Sequence, residues 1–264
     1  AANIDSHTVT ALSLADGSLL WRFTAGGRID SPPTFWRGRV YFGSADGCVY
    51  CLDAGDGRPV WRIRAAPRRR LISAQGQLES AWPVPGSVLL KDGALYCLAG
   101  RSSYVDGGMY FVKLDPVSGE PLMIRQQYSR DPQTGRQPAE RGWEYGKNAL
   151  ELPGLLPDIL SSRGDTIFSR QVGLTEDGER RPSYERHLFN PMGFRSDSWW
   201  HRTYTMYGKR YYSGPFVWQQ AARKWPAGRL LTLDDGFIYG FGRKGVRGGG
   251  SRSYRLFKAP RPAG

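Results

Sequence analysis

"LDAGDGRPVW" at 52–61 repeats the phrase "LSLADGSLLW" at 12–21, and a weaker copy, "LDPVSGEPLM", stands at 114–123. Each copy joins a short apolar strand to a second one through a turn ending in Gly17, Gly57 or Gly119. A tight hairpin turn needs a residue at positive φ, and glycine adopts it without a Cβ clash. Four residues beyond the glycine stands Trp21, Trp61 or Met123. The fixed spacing sends this large side chain from the same face of the second strand in every copy. A lone hairpin cannot bury such a face, whereas a stack of similar hairpins can. The phrase therefore reads as a packing joint, with Trp21 and Trp61 wedged against the neighbouring sheet.

A second signal runs alongside. Glycine, a short spacer, a β-branched residue or leucine, and an aromatic recur in "RGRVYFG" (37–43), "KDGALYCL" (91–98), "RGDTIFSR" (163–170) and "DDGFIYGF" (234–241). Turn chemistry followed by alternation is the mark of a sheet hairpin. One unit reads nearly whole: "SPPTFW" (31–36), "RVYFGSAD" (39–46), "CVYCLD" (48–53) and "PVWRIR" (59–64) make four antiparallel strands. That is the size of one propeller blade. The expected fold is all-β, a β-propeller of four-stranded antiparallel blades forming an incomplete ring of about four to five blades. Residues 1–29 end an earlier blade, 30–64 and 79–125 are blades, and 126–154 is a polar, proline-interrupted insertion with a short helix around 139–148. Residues 155–195 form another blade, 196–258 a blade with long loops, and 259–264 a tail.

Composition agrees with this frame. With 34 Gly and 18 Pro in 264 residues and 13% aromatics, the chain is rich in turns and strand formers. No apolar run reaches the roughly 18 residues needed to span a bilayer. The opening "AANIDSHTVTAL" lacks a basic and then apolar leader, and the chain reads as a segment of a longer protein with any export signal upstream. The net charge of +13 gathers partly in "RIRAAPRRR" (62–70), at Arg180 and Arg181, and in the glycine-rich tail. Such charge suits either a nucleic-acid contact or solvated basic loops, and it reads as loops because no nucleic-acid module accompanies it.

Cys48, Cys51 and Cys97 are the three cysteines. "CVYC" has metal or redox spacing, but on a strand its two thiols face opposite ways. They are expected to be small buried apolar groups.

"LDAGDGRPVW", led by "GSADGCVYC", resembles the repeat of the PQQ-like β-propellers, the quinoprotein alcohol dehydrogenase-like family, and "GGRIDSPPTFWRGRVYFGSADG" (26–47) fits its blade-to-blade passage. The stretch 187–208 resembles a bacterial subgroup without an assigned activity. The resemblance implies a periplasmic or otherwise extracytoplasmic setting and a ring of six to eight blades. It covers both enzymes and non-enzymatic scaffolds, so function has to come from the site. The enzymes hold PQQ between a tryptophan and, in many members, a disulfide of adjacent cysteines, with Ca²⁺ nearby. No two cysteines of this chain are adjacent, and no calcium ligand set can be matched onto it.

Three stretches carry candidate chemistry. "SDSWWHRTYTMYG" (196–208) sets Asp197, Trp200, His201 and Arg202 together, either as a pocket wall or as an aromatic blade strand with a hydrogen-bonded histidine. "GQLESAWPVPGS" (76–87) places Glu79 and Trp82 where a strand would enter the ring from its central face. Glu79 would bind a cation or sugar hydroxyls, or pair with Arg101. "GRSSYVDGG" (100–108) offers turn amides to an anion, or is ordinary turn chemistry. His7, His187 and His201 lack metal spacing, and no catalytic residue or metal site is assigned.

The expected function is a non-enzymatic binding scaffold that presents the propeller mouth to a protein or polysaccharide through Glu79, Trp82, Arg101, Asp197, Trp200, His201 and Arg202. No cofactor is expected. The alternative is a PQQ- and Ca²⁺-dependent dehydrogenase of alcohols or sugars. Nucleic acid is not the expected partner, and the sequence carries nothing on oligomeric state.

Overall fold

Every regular element among the described residues is a β-strand, and every pairing is antiparallel between neighbours along the chain. The structure is a computed structural model, and it describes residues 1–3, 6–74, 76–131, 133–136, 154–170, 172–181, 185–189, 205–208, 226–228, 230–243 and 254–262. The helix expected around 139–148 lies outside these residues.

The first sheet is β1 (Ala2–Asn3), β2 (Thr8–Leu12) and β3 (Leu19–Thr24). The second is β4 (Thr34–Trp36), β5 (Arg39–Gly43), β6 (Cys48–Asp53) and β7 (Pro59–Arg64). A separate hairpin follows, β8 (Leu71–Ala74) and β9 (Gln77–Ser80). The third sheet is β10 (Leu89–Lys91), β11 (Ala94–Ala99), β12 (Met109–Leu114) and β13 (Pro121–Gln127), and the fourth is β14 (Ser161–Arg163), β15 (Thr166–Ser169), β16 (Val172–Leu174) and β17 (Arg180–Arg181). The last described residues form two three-stranded meanders: β18 (His187–Phe189), β19 (Thr205–Gly208) and β20 (Ala227–Gly228), then β21 (Leu230–Leu233), β22 (Phe237–Arg243) and β23 (Tyr254–Pro260).

The sheets lie face to face, as propeller blades do. Alternation along β6 shows it directly. Cys48, Tyr50 and Leu52 pack with Val9, Ile29 and Phe42, while Val49 and Cys51 pack with Leu95, Cys97 and Leu114. Along β11, Leu95, Cys97 and Ala99 face back to that second cluster, and Ala94, Tyr96 and Leu98 face forward to Phe111, Leu160 and Ile167. A middle strand is thus covered on both sides, which is why "CVYCL" and "ALYCLA" are buried throughout. The fourth strand of a blade is its solvated rim, and in β7 exposed and half-buried residues alternate.

The repeated phrase forms the joint between sheets. The Trp21 indole donates Nε1–H to the Ala54 carbonyl at 2.9 Å and lies against Gly57. Trp61 does the same one sheet later, donating to the Pro116 carbonyl at 3.2 Å and lying against Gly119. A Cβ at either glycine would come within 2.6 Å of the ring, and both glycines sit at positive φ, +74° and +77°. Each glycine thus satisfies a turn and receives a tryptophan. The rings are half-buried: each is wedged onto the next turn and also packs against the apolar cluster between the two sheets.

At the third joint the chemistry changes. Met123 stands where the indole stood and packs against the apolar cluster of the third and fourth sheets, while the facing turn, "TEDGE" (175–179), is a shortened copy of the phrase whose Gly178 lies against Phe111 and Arg125. Its Glu176 accepts hydrogen bonds from Lys91 Nζ at 2.7 Å, Tyr96 Oη at 3.0 Å and Lys113 Nζ at 3.2 Å. These groups hold its carboxyl down to about 2.

Two boundaries fall elsewhere than expected. β9 pairs with β8, so Glu79 closes a hairpin instead of opening a blade, and the third sheet starts at Leu89. β18 pairs with β19, so 187–189 begins a new sheet rather than ending the one before it.

Candidate functional site

The β8–β9 hairpin is a wall between two concavities. It is pinned by Ser80 N–H to the Ala45 carbonyl at 2.8 Å and by a 2.7 Å hydrogen bond between His7 Nε2 and Gln77 Oε1. Gly47, at φ +83°, lets the second sheet approach, since a Cβ there would lie 2.7 Å from Ser80 Oγ. The period-2 alternation of a strand then divides the hairpin's side chains. Ala74 and Glu79 line one cavity of about 360 Å³, with Arg28, Arg101, Pro83 and Val105 around them. Leu71, Leu78 and Ser80 line a groove of about 400 Å³ on the other side.

In the cavity, Asp30, Arg28, Glu79 and Arg101 form a ladder of alternating charge. Arg28 Nε meets Asp30 Oδ1 at 2.8 Å, Arg28 Nη1 meets Glu79 Oε1 at 2.9 Å, and Arg101 Nη2 lies 3.9 Å from Glu79 Oε2. Arg101 also donates to the Ser80 carbonyl at 3.3 Å. Glycine again makes the approach possible: a Cβ at Gly27 would lie 2.6 Å from the Asp46 nitrogen, so only glycine lets the 26–30 loop carry Arg28 inward. The first three side chains are 1–8% exposed and Arg101 is 30% exposed. Buried charges persist only when paired, so the ladder presents one guanidinium to the cavity and keeps its carboxylates engaged. Burial pushes the Arg101 pKa down, and the neighbouring Glu79 works against that.

The structure therefore brings Glu79 and Arg101 together. Trp82 is 2% exposed and belongs to the apolar cluster between the second and third sheets, so its ring supports the surface without forming it. Asp197, Trp200, His201 and Arg202 lie outside the described residues. The ladder's inner half, Asp30 and Arg28, escaped sequence reading. The available signal was the pair of glycines just before "RID", which permits a close backbone approach.

The cysteines are free and buried. Cys48 and Cys51 fall in different apolar clusters on opposite faces of β6, and burial raises both thiols. Cys97 is pushed up to about 12 by burial alone. His187 stacks on Phe168 at 3.8 Å, with its ring nitrogens at the carbonyls of Glu185 and Arg170. It is a core histidine whose pKa burial lowers.

The described residues do not fit the PQQ platform that the family's enzymes use. The thiols sit apart in apolar clusters, Trp21 and Trp61 are bound to the next turn, and among the described residues no three His, Cys, Asp or Glu side chains converge as a metal would require.

Fold and joint together define a β-propeller built from repeated four-stranded blades. The family model described as outer membrane protein assembly factor BamB matches residues 5–174, and the chain belongs to that family. Among curated proteins, the dehydrogenase subunit of alcohol dehydrogenase (quinone) from Gluconobacter oxydans is 30% identical over 76 residues, 25% of this chain and 10% of that protein. Among solved structures, BamB from Moraxella catarrhalis aligns at 17% identity and a TM-score of 0.49, over 91% of this chain and 66% of that one. Quinohemoprotein alcohol dehydrogenase from Comamonas testosteroni aligns at 15% identity and a TM-score of 0.46, over 78% and 40%. The chain thus spans a tenth of the curated relative and under two thirds of these solved chains. No helix among the described residues is long and apolar enough to cross a membrane.

Proposed function

We propose that this chain is a non-enzymatic scaffold that works outside the cytoplasm and binds a protein or polysaccharide at its propeller mouth. The observation that carries the reading is the charge ladder. Glu79 is 4% exposed and ion-paired, whereas a general base needs a carboxylate that reaches substrate. The reachable group is Arg101, a fixed fork of donors suited to carboxylates and sugar hydroxyls. Membership in a family described as an assembly factor supports a scaffold. Asp197, Trp200, His201 and Arg202 extend the proposed contact surface.

The second reading, a quinoprotein dehydrogenase, is favoured by the 76-residue match to a quinone-dependent alcohol dehydrogenase. Adding PQQ and Ca²⁺ to the full-length protein separates the two. The scaffold reading expects no bound-quinone absorbance and no dye-linked oxidation of alcohols or sugars, and steady turnover overturns it. Its positive arm is titration with acidic and neutral oligosaccharides, where Arg101→Ala should weaken both and the acidic ones more.

A further inference from the structure

The groove on the outer side of the hairpin belongs to a different surface from the cavity. Five arginines line it: Arg62 and Arg64 from β7, and Arg68, Arg69 and Arg70 from the following loop. All five are exposed. Arg62 pairs with Asp46 at 2.9 Å and Arg70 with Asp106 at 3.0 Å. Arg64, Arg68 and Arg69 make no ion pair with any described residue, so a surplus of positive charge faces the groove.

The loop that carries these groups is fixed at both ends. Ala65 and Ala66 N–H both donate to the Gly47 carbonyl at 3.0 Å, and the Arg70 carbonyl accepts from Ala81 N–H at 2.9 Å. Pro67 stiffens the span between them. The Arg68 guanidinium lies 5.6 Å from the centre of the buried Trp82 ring, a cation–π contact that orients its head. Arginines held in place lose less freedom on binding than mobile surface lysines do.

The opposite wall is apolar. Leu71 is 48% exposed and Leu78 69%, and both leave the outer face of the hairpin. Phosphate backbones have no use for leucines, and the nearby aromatic Trp82 is buried and unable to stack on a base. A groove with guanidinium groups on one side and aliphatic side chains on the other complements a chain that alternates carboxylates with apolar residues. We infer that this groove binds an extended acidic polypeptide segment, its Asp and Glu side chains on Arg64, Arg68 and Arg69 and its apolar side chains against Leu71 and Leu78. The inference rests on the protein-binding reading above and adds the chemistry of the partner and the surface that takes it.

The test is fluorescence anisotropy on the whole chain with a short labelled peptide alternating Glu and Leu, alongside labelled oligo-dT and phosphatidylglycerol-containing vesicles. The peptide should bind best and weaken with salt. Arg68→Glu with Arg69→Glu should weaken it at least ~10-fold, and Leu71→Ser with Leu78→Ser should also weaken it, with the melting temperature retained. If charge reversal disturbs folding, Arg64→Gln with Arg69→Gln gives the same readout. Stronger binding of oligo-dT or vesicles, indifferent to the leucines, overturns the inference, as does absent peptide binding. Peptide binding that ignores these variants also overturns it, while leaving the scaffold reading standing. Conversely, quinone-dependent turnover would sink the scaffold reading whatever the groove binds.

Discussion

The Trp21 indole of the first sheet lies on Gly57 of the second, with its Nε1 2.9 Å from the Ala54 carbonyl and no room for a Cβ beneath the ring. Trp61 and Gly119 repeat the relationship. The middle copy is therefore coupled to both neighbours: Gly57 receives the Trp21 ring from the sheet before, and Trp61 is delivered to Gly119 of the sheet after. A change at one phrase is felt across a blade boundary.

Loss of a delivered ring should show in stability. Trp61→Ala removes an indole hydrogen bond and a half-buried aromatic surface packed against the third sheet, and is expected to cost about 2–3 kcal/mol in urea unfolding. Trp61→Phe should recover part of the loss, because it restores the packing without the donor. Full recovery would mean that the bond to the Pro116 carbonyl contributes nothing.

The third joint should respond to acid. Glu176 has its carboxyl lowered to about 2 by Lys91, Lys113 and Tyr96. A depressed carboxyl adds stability that is complete above its unfolded pKa near 4.5 and is lost as pH falls toward 2. Melting temperature between pH 5 and pH 2, roughly the window set by those two values, should fall more steeply in the wild type than in Glu176→Gln. Parallel curves would remove Glu176 from the account.

The charge ladder gives an asymmetric expectation. Glu79→Ala leaves Arg28 buried beside Asp30 alone and should cost about 3–5 kcal/mol. Arg101→Ala removes the exposed end and should cost about 1 kcal/mol or less. Chemical denaturation of both variants checks the order, and a reversed order contradicts the ladder.

The three thiols should be silent in the native state. Burial raises all of them, Cys97 to about 12. Maleimide at neutral pH is expected to label none until the protein unfolds, so labelling should track the unfolding transition. Fast labelling of Cys48 or Cys51 in the folded protein would show an open or activated thiol.

The joint was legible because its parts stand in one phrase: a glycine that must turn and a large side chain at constant spacing. The opposite faces of Cys48 and Cys51 followed from strand periodicity alone. The direction of the wedge was not legible, because which turn receives Trp21 depends on how sheets stack. The β8–β9 hairpin was missed for a local reason: Leu71–Ala74 and Gln77–Ser80 are short and lack the glycine–aromatic signature of the blades. The third joint was missed because "TEDGE" is one residue shorter and uses a carboxylate where the others use a carbonyl. Glu79 and Arg101 were paired on residue type, but their neighbour Arg28 comes from a loop about fifty residues earlier, brought in by tertiary packing.

The joint is tested most directly by comparing Gly17→Ala with Gly57→Ala in urea unfolding. Both glycines sit at nearly the same positive φ, +73° and +74°, but nothing lies within 4 Å of a Cβ at Gly17, while the Trp21 ring lies 2.6 Å from one at Gly57. Gly17→Ala is expected to cost about 1 kcal/mol, from backbone conformation alone, and Gly57→Ala at least ~2 kcal/mol more. Combining Gly57→Ala with Trp21→Ala should cost clearly less than the sum of the two. Equal losses at the two glycines, with additive behaviour in the double variant, would contradict the joint.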